Sequence, residues 1–525
     1  MDYILNKIKV QTPFGQKRKK ELKVYKADDS SALSAHLDRL SALKSHMEKH
    51  PVTYKKVRGI FAHFKSIDFT LERVYSLETL SVTELFEVKQ FVLLVDKLVM
   101  LQDELCFSDL TLTSLKEVIS LLDPENIGIN SFYIYDGYSD KLRLIRERMK
   151  KLEGQIHENK KVAREEVSEA LNIKIRPNDE FTIKKHEELL MAEVDKRDDV
   201  LYVSDTMMHR NYKVKVSEDV IEFMQELDRL RLDEEEESFE IRTMLTRKLY
   251  DHLEAFKENI DKLSQMDLLM AKSYFAIAYH MTRPVLGKGL KIQEGIHLKV
   301  NEHLQNEGLK FMPITIDVND GITCITGANM GGKTICLRLM GQMQTMAQLG
   351  LFVPCKRFEF ELKNFIFLSS QDAQSIDKGL STFGAEMVNV SKVLRKTDEK
   401  GLILIDELAR GTNPKEGYAI SKAIINYLKC KESVSVITTH FDGLADEEDV
   451  LHLQVRGLKN VDFEDLKINI AGDLETIHQL MDYRLEVIEG PEAVPKDAIR
   501  ISKLMGVDDE ILEDARRILE HGEER

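Results

Sequence analysis

The segment from Gly321 to Met340 constrains the fold more than any other part of the chain. A short apolar run of strand type, Ile322 to Ile325, precedes the sequence GANMGGKT, and a helix-forming run, Ile335 to Met340, follows it. This order fits the G-x-x-x-x-G-K-[ST] pattern, in which successive backbone N–H groups and a helix N-terminus point at phosphate oxygens. The segment therefore predicts a phosphate-binding loop between a strand and a helix.

The residue types of the loop explain its chemistry. Glycines let the backbone turn tightly, Lys333 adds a positive charge, and the hydroxyl of Thr334 can bind Mg²⁺. The alternative is a glycine turn beside a solvated lysine, which the complete motif in its structural context disfavours. The residues predicted to bind the nucleotide are Gly327, Ala328, Asn329, Met330, Gly331, Gly332, Lys333 and Thr334.

An apolar run that ends in two acids supplies the second half of the predicted site. Leu402 to Ile405 are four consecutive aliphatic residues, typical of a strand buried on both faces, and open α/β sheets bind ligands at the carboxyl ends of such strands. We expect Asp406 to hold Mg²⁺ and Glu407 to orient or deprotonate the attacking water. A solvated acidic turn would explain this motif alone, but the presence of both motifs in one chain favours a nucleotide site.

Composition limits the class of protein. The chain of 525 residues has a net charge of −15, so any nucleic-acid contact requires a local basic patch. Its five cysteines form no C-x-x-C pair, which is typical of reduced cytosolic thiols. The N-terminus lacks the pattern of a signal peptide, and no apolar run reaches about eighteen residues, so we expect a cytoplasmic protein without a membrane partner.

Periodicity divides the first part of the chain into helical regions and one insert. Residues 1–138 have helical spacing and predict an all-α core. Residues 139–172 predict one long charged lever helix, on the order of 45 Å in length. Residues 173–215 predict a small clamp-like insert with strands. Residues 216–285 predict a returning lever helix, interrupted at 233–237, where five acids indicate a solvated kink or helix face.

The second part of the chain has a different pattern. Strands alternate with helices over residues 286–471, which is typical of a doubly wound α/β domain, and residues 472–525 predict two short amphipathic helices. The predicted fold is therefore multidomain. It consists of an all-α core with long lever helices and a small clamp, an α/β phosphate-loop domain, and a C-terminal helical element.

Several motifs together resemble the MutS family of DNA mismatch-repair ATPases. GANMGGKT is similar to that family's GPNMGGKS/T loop and differs at Ala328, where proline is usual. Five further segments are similar to segments of that family. Segment 372–383, with Glu386 and Met387, is similar to its signature loop, 406–412 to its DEIGRGT motif and 438–440 to its ATH histidine. Segments 136–139 and 85–89 are similar to its core and lever segments.

The resemblance implies an ABC-type ATPase that uses ATP and Mg²⁺ and works as a dimer, either a homodimer or a pair with a paralogous chain. It implies that Ser381 and Thr382 complete the nucleotide site of the partner subunit, and that the C-terminal helices dimerise. It also implies that Asn329 contacts the phosphates or the attacking water and that His440 senses the γ-phosphate. Without its neighbouring motifs, His440 would be interpreted as an ordinary turn residue.

The chain also departs from the better-known members of that family. It begins directly in the helical core, where mismatch readers carry a mixed domain with a Phe-x-Glu wedge, so we expect no mismatch reader. Phe256 and Glu258 have that spacing, but they fall on a predicted long helix at positions that suit packing. The 372–383 segment is closer to the branch that carries a C-terminal Smr nuclease domain, which we do not expect in this chain.

Two functions remain open from the sequence. The first is a DNA-associated ATPase, with a mismatch-repair or recombination-related role, in which ATP moves the lever and clamp arms. The second is a protein-remodelling ATPase that reactivates a B12-dependent amino-acid aminomutase. The clamp segment 173–215 contains nine basic and nine acidic residues, so it carries no net positive charge for DNA phosphates.

Overall fold

The computed structural model describes residues 2–127, 131–327, 332–369, 382–409, 411–441, 443–457, 482–488, 499, 502 and 507–522. The helices are α1 Asp2–Lys7, α2 Pro13–Lys20, α3 Ser30–Lys49, α4 Pro51–Phe61, α5 Asp68–Tyr75, α6 Val82–Val99, α7 Lys116–Leu122, α8 Asp140–Leu171, α9 Glu188–Val194, α10 Glu218–Tyr250, α11 Leu253–Ala278, α12 Leu298–Asn306, α13 Lys333–Gln348, α14 Thr382–Leu394, α15 Pro414–Leu428 and α16 Asp509–Gly522. The strands are β1 Glu180–Lys184, β2 Val200–Asp205, β3 His209–Val214, β4 Val285–Leu286, β5 Leu290–Gly295, β6 Ile314–Val318, β7 Ile322–Thr326, β8 Arg357–Phe360, β9 Phe365–Ser369, β10 Gly401–Ile405, β11 Val434–Thr438, β12 Val450–Gly457 and β13 Asp482–Val487.

The chain forms two compact units. The first unit comprises Met1–Phe61, Glu104–Leu110 and Leu263–Arg525, and the second comprises Ala62–Asp103 and Thr111–Lys262. The predicted fold class is confirmed in its coarse form, because the protein is multidomain and combines helical regions with α/β structure. The domain boundaries given above stay predictions.

A six-stranded sheet in the order β13-β12-β7-β11-β10-β9 forms the centre of the first unit. All neighbours pair in parallel except β12 and β13, which pair antiparallel. Every residue of β7, β10 and β11 is buried, as expected for strands covered on both faces. The carboxyl ends of these three strands therefore lie at one edge of the sheet.

Close packing fixes the helix that follows β7 against this sheet. A Cβ atom added to Gly341 of α13 would lie 3.3 Å from Cδ1 of Leu404 in β10, so the absence of a side chain lets the helix approach the strand closely. Another buried cluster fills the space between the sheet and α14 and α15; it includes Ile403, Ile405, Val390 and Ile425. A separate four-stranded sheet in the order β4-β8-β5-β6 belongs to the same unit.

In the second unit, α8 and α10 form an antiparallel pair. Three ion pairs join them: Lys141–Glu237, Arg146–Glu234 and Arg148–Glu226, each 2.7 Å long. Because the partner's number falls as the number on α8 rises, the two helices run in opposite directions. Such exposed pairs add little stability individually, but they hold the two helices in register.

The acidic run 233–237 does not interrupt the returning helix, so the predicted interruption is wrong. These residues lie inside α10, and the helical stretch breaks only at residues 251–252, between α10 and α11. Two of the five acids, Glu234 and Glu237, have basic partners on α8, and the other three are exposed on the face of the helix. Glu237 is buried and accepts a hydrogen bond of 2.6 Å from the hydroxyl of Ser139, the residue that caps the N-terminus of α8.

The segment that connects α8 to α10 folds as a small module. Its antiparallel sheet has the order β1-β3-β2, and one face packs on the end of α8 in a cluster that includes Val167, Leu171, Phe181 and Tyr212. This module was predicted as a strand-containing insert. Among the residues that the structure describes, no helix combines the length and apolar character needed to cross a membrane.

Candidate nucleotide site

The predicted phosphate loop begins where β7 ends. Gly327 has a φ of +133°, and a Cβ atom there would lie 3.2 Å from Cβ and 3.3 Å from the carbonyl oxygen of Val455 in β12. Only glycine combines this backbone angle with this close approach. Ala328, Asn329, Met330 and Gly331 lie outside the described residues.

The other end of the loop starts α13. Gly332 has a φ of +87° and precedes the first helical residue, Lys333. The Lys333 side chain is buried, and its ammonium group donates a hydrogen bond of 2.6 Å to the carbonyl oxygen of Gly327. The hydrogen bond thus joins the two ends of the loop. A phosphate bound by the loop would lie close to this ammonium group.

Asp406 connects the loop helix to the neighbouring strand end. Thr334, the second residue of α13, donates a hydrogen bond from Oγ1 to Oδ2 of Asp406 over 2.7 Å. Asp406 directly follows β10 and is buried. Mg²⁺ in proteins binds oxygen ligands such as hydroxyl and carboxylate oxygens, and these two oxygens are close enough to bind one ion together. The structure therefore brings together the two side chains predicted to hold the metal.

Thr438, the last residue of β11, holds both predicted carboxylate residues. Its hydroxyl donates a hydrogen bond of 2.7 Å to Oδ1 of Asp406 and accepts one of 2.8 Å from the backbone N–H of Glu407. Thr438 is fully buried. The sequence analysis included Thr438 in a motif but gave it no role, because the neighbouring positions of β10 and β11 are not visible in a single sequence.

The turn after β10 has an unusual backbone. Glu407 and Ala409 have φ angles of +49° and +59°, a region that residues other than glycine rarely adopt and that costs about 1–3 kcal/mol per residue. The N–H of Ala409 donates a hydrogen bond of 2.9 Å to Oε1 of Glu386 in α14. Burial raises the pKa of Glu386, although that hydrogen bond opposes the change. Such outliers are enriched at functional sites, which supports a role for Glu407.

His440 lies at the same edge of the sheet. It follows β11 by two residues and is exposed, and its ring centroid lies 4.6 Å from that of Phe441. The backbone N–H of the preceding residue, Thr439, donates a hydrogen bond to the carbonyl oxygen of Ile325 in β7. Ser381 lies outside the described residues, and Thr382 begins α14, although its side chain is not described.

Strand β12 contacts the end of β7, where the loop starts, and no sequence motif marks this contact. The hydroxyl of Thr326, the last residue of β7, forms a hydrogen bond of 2.7 Å with Nε2 of the buried His452 in β12. Nδ1 of His452 lies 3.7 Å from a carboxylate oxygen of Asp446. No motif marks His452, so only the pairing of β12 with β7 could have shown its position.

The residues present fit a nucleotide bound with magnesium. A buried lysine, a helix N-terminus and a glycine at a close approach suit phosphate groups, and the hydroxyl of Thr334 with the carboxylate of Asp406 suits the metal. These features define a class: an α/β protein whose parallel sheet carries a phosphate-loop motif and a strand-end aspartate at one edge.

Comparison with known proteins identifies the family. Residues 323–522 match the model of MutS domain V. The chain also resembles curated proteins over about 300 residues. The segment 323–522 therefore belongs to the MutS domain V family.

Three of the similar proteins are each named Endonuclease MutS2. The protein from Geobacillus sp. is 32% identical over 304 residues, which are 57% of this chain and 36% of that protein. The protein from Caldanaerobacter subterraneus is 30% identical over 302 residues, 57% of this chain and 35% of that protein. For Caldicellulosiruptor bescii, the identity is 30% over 348 residues, 64% of this chain and 43% of that protein. The matched part thus spans less than half the length of each relative.

Proposed function

We propose that this chain binds ATP together with Mg²⁺ and hydrolyses it to ADP and phosphate. The observation that carries the proposal is the position of Asp406, which accepts hydrogen bonds from Thr334 of the loop helix and from Thr438 at the end of the next strand. This arrangement joins the phosphate-loop motif to the acidic strand end. The match of residues 323–522 to MutS domain V supports the same activity.

Each residue of the site has a role in this proposal. Lys333 and the N-terminus of α13 bind the β- and γ-phosphates, and Thr334 and Asp406 hold the metal. Mg²⁺, when bound, neutralises charge on the phosphate oxygens. Glu407 orients the attacking water or accepts its proton, with its backbone held by Thr438. His440, at the same edge, contacts the γ-phosphate side of the site.

We also propose that two chains work together. In this arrangement Ser381 and Thr382 complete the nucleotide site of a partner, which is either an identical or a paralogous chain, and the C-terminal helices contribute to pairing. ATP binding and hydrolysis then move the arm formed by α8 and α10. Three ion pairs join the first part of α8 to α10, which supports the idea that the two helices move as one lever.

DNA is the ligand that we propose for the arms, in a repair or recombination role. The relatives are named endonucleases, which supports a nucleic-acid substrate for the family branch. Several basic side chains of the small module are already paired, including Lys185 with Asp205 and Arg210 with Asp195. DNA phosphates would have to compete with these carboxylates, so we expect weak and salt-sensitive binding. The comparisons lend no support to the aminomutase alternative.

The ATPase activity can be tested with one lysine variant. We expect wild-type protein to bind ATP in the presence of Mg²⁺ and Lys333→Ala to lose most of that affinity, because the substitution removes the buried ammonium group. Lys310→Ala, an exposed lysine of the same unit, is the matched control. Isothermal titration with ATP and a phosphate-release assay measure both properties. Wild-type protein that binds no ATP would refute the proposal.

DNA binding needs a separate test. Duplex and branched DNA are titrated at about 50 and 150 mM salt, and the ATPase rate is measured with each DNA. Replacement of the exposed Lys213 and Lys215 by alanine should weaken DNA binding. It should also reduce the number of ions released on binding, measured from the salt dependence of the affinity, by about two. Lys248→Ala, in α10, should change neither property. If no DNA structure binds or stimulates hydrolysis, the proposed ligand is wrong even if the ATPase activity is present.

A further inference from the structure

The first unit contains a cavity outside the nucleotide site. Its volume is about 420 Å³, and its walls come from residues 18–25, from α3 and α11, and from Leu349, which follows α13. This size lies within the usual range for small-molecule sites, about 300–1,000 Å³. The proposed ATPase activity uses none of these residues.

The charges that line the cavity are mostly positive. Arg18, Lys23, Arg39 and Lys272 line it, and Glu21 is the one carboxylate residue among its described lining residues. Two of the basic groups have acidic partners outside the lining, since Lys23 lies 2.8 Å from Asp29 and Arg39 lies 2.9 Å from Asp109, which leaves Arg18 and Lys272 against Glu21. The charge of the lining therefore favours an anionic ligand.

Arg39 has unused hydrogen-bonding capacity at this place. Its Nη2 lies 2.9 Å from a carboxylate oxygen of Asp109. The two groups form an ion pair, but their angles do not allow a hydrogen bond. Its Nε is buried and has no hydrogen-bond partner among the described residues. A buried guanidinium N–H without a partner is costly, and an anion in the cavity would relieve that cost.

Lys272 is a buried amine beside neutral partners. Its side chain is 3% exposed, and Nζ donates hydrogen bonds to the carbonyl oxygens of Leu349, at 2.9 Å, and Gly350, at 3.3 Å. Nε2 of His36 lies 3.2 Å from the same Nζ, and burial, aided by the charge of Lys272, lowers the pKa of His36 to about 3. Burial likewise lowers the pKa of Lys272 to about 7. An anion would supply the missing negative charge.

We propose that this cavity binds a small molecule that carries a phosphate group. Guanidinium and ammonium groups together are the usual partners of phosphate in proteins. The cavity is larger than a phosphate ion needs, and Tyr25, Leu268 and Leu269 provide an apolar wall for an organic body. The ligand class is therefore a small phosphorylated compound, with free phosphate as the simplest source of the same chemistry.

The cavity is connected to the helix of the phosphate loop. The N–H of Tyr25 donates a hydrogen bond of 2.8 Å to the carbonyl oxygen of Gln348, and the Gln348 side chain donates one of 2.7 Å to the carbonyl oxygen of Tyr25. Gln348 is the last residue of α13, whose first residues are Lys333 and Thr334. A ligand in the cavity thus contacts a segment fastened to the far end of the nucleotide helix.

The test uses full-length protein with Lys333→Ala, which weakens nucleotide binding at the phosphate loop. AMP and inorganic phosphate are titrated separately by isothermal calorimetry. We expect one binding site per chain, and we expect Lys23→Met or Arg39→Met, added to that background, to weaken binding about tenfold or more. Lys20→Met removes an exposed charge from the same N-terminal segment and should leave affinity unchanged. Because Lys23 is also exposed, its replacement should not affect folding.

The outcomes separate the possible ligands. Tighter binding of AMP than of phosphate identifies an organic phosphate, and equal affinity identifies the free anion; both sustain the proposal. If neither probe binds saturably at millimolar concentration, or if binding is the same in Lys23→Met and Arg39→Met as in their common background, the cavity is not a phosphate site. Neither result depends on whether the wild-type protein hydrolyses ATP.

Discussion

The hydroxyl of Thr438 donates a hydrogen bond of 2.7 Å to Oδ1 of Asp406. This bond links the ends of two neighbouring parallel strands, β11 and β10. It orients the aspartate so that its other oxygen, Oδ2, accepts a hydrogen bond from Thr334. The same hydroxyl accepts the N–H of Glu407, so one buried threonine positions both acidic residues of the site.

We expect Thr438→Val to slow ATP hydrolysis by about tenfold or more while ATP binding changes less. Valine keeps the shape but leaves the buried Asp406 oxygen and the Glu407 N–H without this partner, at about 1–3 kcal/mol for each unpaired group. Ser435→Ala is the control on the same strand, since its buried hydroxyl has no hydrogen-bond partner among the described residues. Phosphate release under saturating ATP measures the rate. Equal rates in both variants would show that Thr438 does not position the acids.

In the second unit, we expect Lys89→Met to lower stability by about 3–5 kcal/mol. The Lys89 side chain is 1% exposed; its ammonium group donates hydrogen bonds to the Ser131 carbonyl oxygen and the Tyr135 hydroxyl and lies 3.6 Å from Asp123. Removal of one partner leaves a buried carboxylate without this counter-charge. Urea unfolding followed by circular dichroism measures the change. Lys97→Met, an exposed lysine of the same helix, should change stability by less than about 0.5 kcal/mol.

Glu302 should make the first unit sensitive to acid. Burial alone would raise its pKa, but hydrogen bonds from Lys7, Tyr279 and Tyr3 outweigh burial and lower the pKa to about 2. A carboxyl group whose pKa is lower in the folded state stabilises the fold above its unfolded pKa, about 4.3, and this contribution is lost as the pH falls towards 2.

The variant Glu302→Gln isolates this contribution. We expect wild-type protein to be more stable than the variant at pH 6 and the difference to shrink as the pH falls from about 4.5 towards 2. Thermal unfolding at several pH values measures it. The control variant is Glu307→Gln. Glu307 directly follows α12, the helix that contains Glu302, so this variant also removes one negative charge nearby. A difference that stays constant over this range would contradict the assigned pKa.

The sequence was sufficient to predict a strand before the phosphate-loop motif and a helix after it, the apolar strand that ends in acids, and the long paired helices. Gly327, Lys333 and Thr334 fit a pattern of consecutive residues, and Asp406 follows an unmistakably apolar run. Periodicity located α8 because its apolar positions recur over many turns without proline. These features depend on residues close together in the chain, which is why sequence alone reveals them.

The supporting contacts could not be predicted in the same way. Thr438, His452 and Val455 act on the site through strand order, which joins residues far apart in the chain. The continuity of α10 through its acidic run could not be predicted either, because Glu234 and Glu237 pair with residues of α8 that are distant in the chain. The cavity lined by Arg39 and Lys272 depends on three separate chain segments and has no local pattern.

In the proposed ATPase, Glu407 acts on the water that attacks ATP at a site built by Asp406, Thr334 and Lys333. The most direct measurement compares ATP binding and hydrolysis by wild-type protein and by Glu407→Gln, which keeps the side-chain size and removes its charge. We expect the variant to bind ATP with wild-type affinity and to hydrolyse it at least about a hundredfold more slowly, as expected when a general base that contributes about 10²–10⁴-fold is lost. Hydrolysis by Glu407→Gln at the wild-type rate would show that Glu407 does not have this role.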